Sequence, residues 1–461
     1  MSTERINRRS WTLDPVLMML AALALAVTLT WFVPSGKFAR DPKGLVKPGT
    51  YTVVPKEISA AALVPRAIDG AKLQPVSPAA IVTAIPVGMT KAASLIFMIT
   101  ALGGMFGVLR ATGTLELAIE RLVAFTGGKL AVLTALLMVA ISAGSSFLGL
   151  ISEYLLIIPI FLALAKRLGL QPMFGFAVVT VSAKIGYIAS VANPVVLVVA
   201  QPIAGQPVFS GMAFRLGLWV VFMTAGIFYV LRRAGVPDRP TAPATTAALS
   251  GRHLAIVAIL CGAVALLIYG AAERDWHDVE FAAFYLLLGG IIAAVAGLAP
   301  RQAAHSLVDG MKSMVLAGLL VGMAKAVELI LQDGQILDTI VNMLAGWAAH
   351  LPRVMVGMAL VMIEMFLGLL IPSGSAKAAI SLPVLVPVAQ VAGVTGQTVV
   401  LAYLLGNGLI NLFAPTSGML LAYLATAEIS YGKWFRYVLP LFLVLTALAL
   451  AAVSLAVVIG D

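Results

Sequence analysis

Several charged side chains stand inside stretches otherwise apolar enough to lie in lipid, among them Glu153, Lys184, Lys325, Glu328, Glu364 and Lys377. A charge at membrane depth is expensive, and it persists where it pairs, faces water or meets a ligand. Lys325 and Glu328 are three apart and can satisfy each other on one helix face, which reads as structure. Glu153 and Lys377 each sit beside a cluster of small polar residues. One runs from Gly144-Ser145-Ser146 to Ser152-Glu153, and the other is Ile371-Pro372-Ser373-Gly374-Ser375-Ala376-Lys377. The two charges occupy matched places in the chain, so they could pair with each other or with a ligand. Lys184 precedes a third cluster, Gly186 to Pro194. A fourth runs from Asn407 to Gly418, with Asn407 and Asn411 four apart on one helix face.

Backbone that leaves a helix at membrane depth exposes N–H and C=O groups, each costing several kcal/mol unless satisfied. Such breaks survive where they are buried in protein or line a watery cavity. Asn193-Pro194 reads as an N-cap followed by proline at the first helical position. Pro415-Thr416-Ser417 reads as a second half-helix start, and Ser152 and Ser375 are placed to cap two further helices. Four helix N-termini would then converge, each bringing unpaired N–H groups and partial positive charge suited to a carboxylate. The candidate ligand-binding residues are Ser145, Ser146, Glu153, Lys184, Asn193, Ser373, Gly374, Ser375, Lys377, Thr416 and Ser417. Glu153, Lys184 and Lys377 together carry one net positive charge, which favours an anion. Freed carbonyls with Ser190, Asn193, Asn407, Asn411 and Ser417 could hold Na⁺. No other cofactor is expected. Serines and threonines that merely cap helices would explain any one cluster, but not their recurrence at matched positions.

The elements that must position these residues follow from composition. Of 461 residues, 61% are hydrophobic and 11% charged, against about 25% charged in soluble domains. The chain therefore reads as a polytopic membrane protein. Its net charge of +10 is accounted for by basic loops beside the membrane rather than by nucleic acid. Cys261 is the only cysteine, and the four histidines form no metal cluster. Pro15 to Val33 reads as a first span rather than a cleaved leader, with Arg5, Arg8 and Arg9 holding the N-terminus in the cytoplasm. A long external loop reaches about Ser77, and Lys91 to Leu109 returns. Thr114 to Phe125 reads as an interfacial helix. A re-entrant hairpin over 129–166, a broken helix over 171–200 and a span to Leu231 complete a first half, residues 1–234. A Pro/Ala/Thr-rich cytoplasmic linker, 235–252, leads to a second half, 253–461. That half opens with a helical pair, His253 to Gly270 and Glu280 to Leu298. An interfacial helix (Ile336 to Leu351), a hairpin over 352–392 and a broken helix over 396–424 follow. Gly88-Met89 matches Gly310-Met311, Gly113 matches Gly334, Pro159 matches Pro383, and Asn193-Pro194 matches Ala414-Pro415, at offsets of 221 to 224. The second copy starts from the opposite side. The expected fold is an all-α polytopic membrane protein of two inverted-topology repeats, each with a re-entrant helical hairpin and a broken transmembrane helix.

Secondary transporters build midplane sites from such parts. A channel has no need of two hairpins, and an intramembrane hydrolase would have only Ser373 with Lys377 as a dyad and would leave the repeat unexplained. Pro34-Ser35-Gly36-Lys37-Phe38, Gly334-Gln335-Ile336, Ile371-Pro372-Ser373-Gly374-Ser375 and Pro415-Thr416-Ser417-Gly418 resemble the YfcC branch of the C4-dicarboxylate anaerobic carrier family, within the ion-transporter superfamily. The resemblance implies a multi-pass inner-membrane carrier, not an enzyme, working as a homodimer by an elevator motion. It implies a cargo of small organic anions or amino acids, with Na⁺ or H⁺ coupling. A basic amino acid exchanger, with Glu153 pairing the cationic side chain, is the alternative. The chain departs from the family's usual pattern at Lys184 and Lys377. Membrane lipid and the small-molecule cargo are the other expected partners.

Overall fold

Long apolar segments must close their own backbone hydrogen bonds in lipid, and helices do this within one segment. The computed structural model describes residues 15–42, 45–58, 60–64, 74–114, 130–235, 250–274 and 276–460. The N-terminal arginines, nearly all of the expected helix at 114–125 and most of the linker lie outside them. Among the described residues nine helical stretches are long and apolar enough to cross a membrane. Among these residues strand is limited to an antiparallel pair, β1 (Gly36–Lys37) and β2 (Thr52–Val53).

The first half comprises α1 (Pro15–Phe32), α2 (Ala80–Lys91), α3 (Ala93–Ala111), α4 (Leu130–Leu148), α5 (Ile158–Arg167), α6 (Pro172–Ala189), α7 (Pro194–Ile203) and α8 (Met212–Arg232). The second comprises α9 (Gly251–Glu273), α10 (Asp278–Ala296), α11 (Pro300–Lys312), α12 (Val315–Asp333), α13 (Leu337–Ala348), α14 (Arg353–Leu370), α15 (Gly374–Val391), α16 (Gly396–Ile410), α17 (Gly418–Thr426) and α18 (Tyr431–Ile459). A 3₁₀ turn, Ser152–Leu156, joins α4 to α5. Lys56 closes the end of α1, donating to the Thr30 and Val33 carbonyls at 2.6 and 2.8 Å. Half-burial there pulls its pKa down to about 8.

Two helices, α2 and α11, were not expected. Pro86 and Gly88 argue locally against a helix at α2, yet packing on α12 overrides them. A Cβ on Gly88 would stand 2.2 Å from the Gly322 carbonyl oxygen. The polar segment Pro300–Lys312 has no assignment from its sequence pattern, but it starts with proline at the first position and packs along α3.

The two halves pack reciprocally. α4 runs along α6 as α14 runs along α16, and α6 meets α8 as α16 meets α18. Across the halves, α1 packs on α12 while α10 packs on α3. At the centre the broken helices α6 and α16 lie against each other. A Cβ on Gly408 would come within 2.6 Å of Ile188 Cα, so only glycine permits the approach. Every residue of α6 from Phe174 to Ala189 is buried, so these two helices form the core and the lipid faces α8 and α10.

Candidate functional site

Both helix breaks are closed chiefly by side chains. α6 ends at Ser190 in the left-handed region (φ 39°), and Ser190 Oγ donates to the Tyr187 carbonyl at 2.6 Å. Asn193 caps α7, accepting from Val195 N at 3.0 Å with Pro194 at the first position, as the sequence predicts. Ser146 Oγ accepts from Val191 N at 3.0 Å, and Asn193 Nδ2 reaches the Ser145 carbonyl at 3.4 Å. Ser145, Ser146, Ser190 and Asn193 are thus a fully buried seam between the first hairpin tip and the first break. Arg215 of α8, which the sequence reading missed, donates to the Val191 carbonyl at 2.9 Å.

The second break repeats this plan with other residues. Ser417 caps α17, accepting from Leu420 N at 3.4 Å and donating to Asn411 Oδ1 at 3.0 Å. Pro415 is not at the first helical position; it sits in the turn before the cap, closed by Ser417 N donating to the Ala414 carbonyl at 3.1 Å. Asn411 Nδ2 donates to the Asn407 carbonyl at 2.8 Å. Trp434 and Tyr431 of α18 donate to the Leu412 and Phe413 carbonyls. The Tyr187, Val191, Asn407, Leu412 and Phe413 carbonyls at the two breaks thus each accept a side-chain bond.

The hairpin tips differ from expectation in three ways. Ser373, not Ser375, caps α15, accepting from Ala376 N at 3.4 Å, while Ser375 is exposed in the first turn. Ser152 caps nothing, because the first tip continues as the 3₁₀ turn and α5 starts only at Ile158. Lys377 does not meet Glu153. Its ammonium lies 3.1 Å from Glu364 Oε2, donates to the Glu364 carbonyl at 2.9 Å and sits 5.2 Å from the Tyr403 ring centroid. Ser381 Oγ holds the other Glu364 oxygen at 2.8 Å. The pair spans the two arms of one hairpin, with both residues at most 1% exposed. Glu153 accepts from Ile151 N at 2.8 Å. Gly374 gives its carbonyl to the Tyr403 hydroxyl at 2.7 Å.

A cavity of about 340 Å³ opens between the tips, α12 and the second break. Of the predicted residues, Lys184, Ser373, Asn411, Thr416 and Ser417 line it. Ser145, Ser146, Glu153, Ser190, Asn193, Gly374, Ser375, Lys377 and Asn407 do not. Two capped helix starts (Ser373 and Ser417) and the 3₁₀ turn at Ser152 reach the wall, whereas the α7 start does not. The Lys184 side chain is 3% exposed and forms no ion pair with a described residue; its ammonium stands 5.7 Å from the Tyr423 ring centroid. Opposite it, Lys325 pairs Glu328 at 2.9 Å as predicted, and Gln332 holds the second Glu328 oxygen at 2.9 Å. That pair also lines the cavity, which the reading as structure missed. Val321, Ala324, Lys325 and Glu328 repeat at helical spacing, so the polar stripe was available in the sequence. Lys184, Lys325 and Glu328 leave the lining one net positive; of the predicted trio only Lys184 is among them.

Among the described residues no group of three or more His, Cys, Asp or Glu could hold a metal. For Na⁺ the relevant donors are neutral oxygens. Asn407 Oδ1 and Thr416 Oγ1 are buried without a hydrogen-bond partner, whereas Ser190, Asn193, Asn411 and Ser417 are committed to closing the breaks. Each of these two is a neutral oxygen of the kind Na⁺ accepts as a ligand.

Paired hairpins, two interrupted helices and a charged cavity between them define a polytopic membrane transporter. The chain belongs to the C4-dicarboxylate anaerobic carrier (DcuC) family, whose profile matches residues 13–458, and that family consists of carriers rather than enzymes. It is 26% identical to YfcC of Escherichia coli, named as a candidate basic amino acid antiporter, over 75% of this chain and 74% of that one. An uncharacterised Haemophilus influenzae protein is 26% identical over 92% of each. The solved YdaH transporter of Alcanivorax borkumensis aligns over 97% of this chain and 99% of its own at 18% identity, with a TM-score of 0.43, too distant to bear on the site.

Proposed function

We propose that this carrier is a secondary active transporter of small carboxylates, either C4-dicarboxylates or amino acids, in the bacterial inner membrane. Its cargo binds in the cavity between the two hairpin tips. One observation carries the reading: Lys184 is an almost fully buried cation without an acidic partner among the described residues, facing a cavity rimmed by the capped starts of α15 and α17. Its volume of about 340 Å³ is at the small end of ligand pockets, about 300 to 1,000 Å³. A carboxylate there would meet Lys184 and the N–H groups behind Ser373 and Ser417. Asn407 and Thr416 would hold Na⁺ as the coupling ion. The hairpins and broken helices would move as one body against α1–α3 and α10–α12, in a homodimer.

Glu328 favours a second reading, exchange of a basic amino acid, which also suits the name given to the E. coli relative. An acid on the same wall could take a cargo ammonium in place of Lys325, the role first expected of Glu153. A thermal-shift screen of dicarboxylates and amino acids, with Na⁺ or choline at fixed pH, tests both. The stabilising cargo should lose about 2 to 5 kcal/mol of binding in Lys184→Gln, because a desolvated carboxylate is left unpaired. Unchanged affinity in that variant would remove Lys184 from the site. Stabilisation indifferent to Na⁺ would give the coupling to protons or exchange.

A further inference from the structure

Arg232 and Arg233 end α8, and Lys433 and Arg436 stand in the first turns of α18, which packs on α8 with Arg233 over Tyr437. All four are exposed, and none forms an ion pair with a described residue. Beneath the arginines a groove of about 490 Å³ runs between the helices, lined by Ala225, Phe228, Tyr229, Leu441 and Val444. Phe228 and Val444 are 64% and 49% exposed. The guanidinium of Arg233 stands 5.2 Å from the Tyr229 ring centroid and 5.8 Å from that of Tyr437, while Arg232 stands 5.9 Å from that of Phe228. Stacking of this kind holds a guanidinium in place and leaves its N–H groups free. Lys433, Tyr437, Leu441 and Val444 fall on one stripe of α18, which puts Lys433 at the mouth of the same groove.

Unpaired forked cations above an apolar trough, at the ends of membrane-crossing helices, match the two parts of one molecule. We propose that this groove binds an anionic phospholipid, with the phosphodiester headgroup on Arg232, Arg233 and Lys433 and an acyl chain along Phe228, Leu441 and Val444. Guanidinium groups take a phosphate through paired hydrogen bonds, and basic pockets between transmembrane helices suit acidic headgroups. The carbonyl end of α8 disfavours an anion, but the N-terminus of α18 in the same neighbourhood favours it. A zwitterionic lipid would bring a cation back towards four others. A second copy of the chain would have to supply acids to meet them.

The test needs neither cargo nor coupling ion, so its outcome is separate from that of the transport reading. The protein is equilibrated in nanodiscs of phosphatidylcholine with graded phosphatidylglycerol, and retained lipid is counted by native mass spectrometry. The native protein should retain phosphatidylglycerol in preference to phosphatidylcholine. The double variant Arg232→Gln with Arg233→Gln should bind it about thirty-fold more weakly, at roughly fivefold per lost charge. Arg232→Lys with Arg233→Lys, which keeps the charge, should recover much of that loss and controls for folding. Equal retention by native and glutamine variants, or no preference over phosphatidylcholine, would overturn the proposal. So would a lipid-free dimer that the glutamine variant dissociates, since the groove would then belong to a second copy.

Discussion

Lys184 and Lys377 are both lysines in apolar helices beside a break, and only their surroundings separate them. Lys377 is spent on Glu364, which lies 2.9 and 3.1 Å away through its carbonyl and carboxylate. Both positions were legible as costly charges. The pairing was not, because Glu364 is on the other hairpin arm and no helical spacing connects them. Lys325 and Glu328 are three apart on one helix, and that pair could be read directly. A buried ion pair is costly to break at one end and cheap to replace entirely. Lys377→Met alone, or Glu364→Gln alone, should therefore destabilise the protein by about 3 to 5 kcal/mol. The double variant should regain most of the loss, with cargo affinity intact. Additive losses in chemical denaturation would mean that the two residues act independently.

At the scale of elements, caps decide where each half-helix begins. The Asn193-Pro194 dipeptide marks its helix start unambiguously, because asparagine accepts from the second N–H and proline lacks the first. Ser373 and Ser375 both precede an apolar run, and sequence alone does not choose between them. The structure selects Ser373, whose hydroxyl accepts from Ala376 N. Ser373→Ala should cost about 0.5 to 2 kcal/mol of stability, whereas Ser375→Ala should stay within about 0.5 kcal/mol of native. Thermal unfolding of the two variants without cargo measures the difference, and equal effects would refute the cap assignment. The helices that escaped notice failed for a tertiary reason. α2 carries a proline and a close-packed glycine, and α11 is polar along most of its length, so contact with α12 and α3 makes them helices rather than propensity.

For the whole molecule, the recurrence of Gly-Pro-Ser clusters at a near-constant offset was legible because breaks in an apolar background stand out. The exchange of α1 and α10 between halves was not, since it depends on contacts far apart in the chain. That exchange carries a statement about sidedness. The loop after α1 is fixed to the far end of α12: Gly36 N donates to the Gln335 carbonyl at 2.9 Å, and Arg40 pairs Asp338 at 3.0 Å. The segment before α2 is held at that end too, Val76 N donating to Thr30 Oγ1 at 3.0 Å, and α2 and α3 run away from it, Gly88 packing on Gly322 and Gly103 on Gly310, with α10 alongside α3 from the Ser94–Asp278 contact onward. α9 returns beside α10, Arg252 near its start approaching Gly297 at the end of α10, so Ser250 lies on the opposite face, with Arg252 and with Arg110 at the end of α3. The basic face should be cytoplasmic. In a Cys261→Ala background, a membrane-impermeant maleimide added to intact cells should label Lys47→Cys and spare Ser250→Cys. The opposite pattern would turn the molecule over in the membrane. Labelling of both from outside would place the loop and the linker on one face, which two halves of inverted topology do not allow.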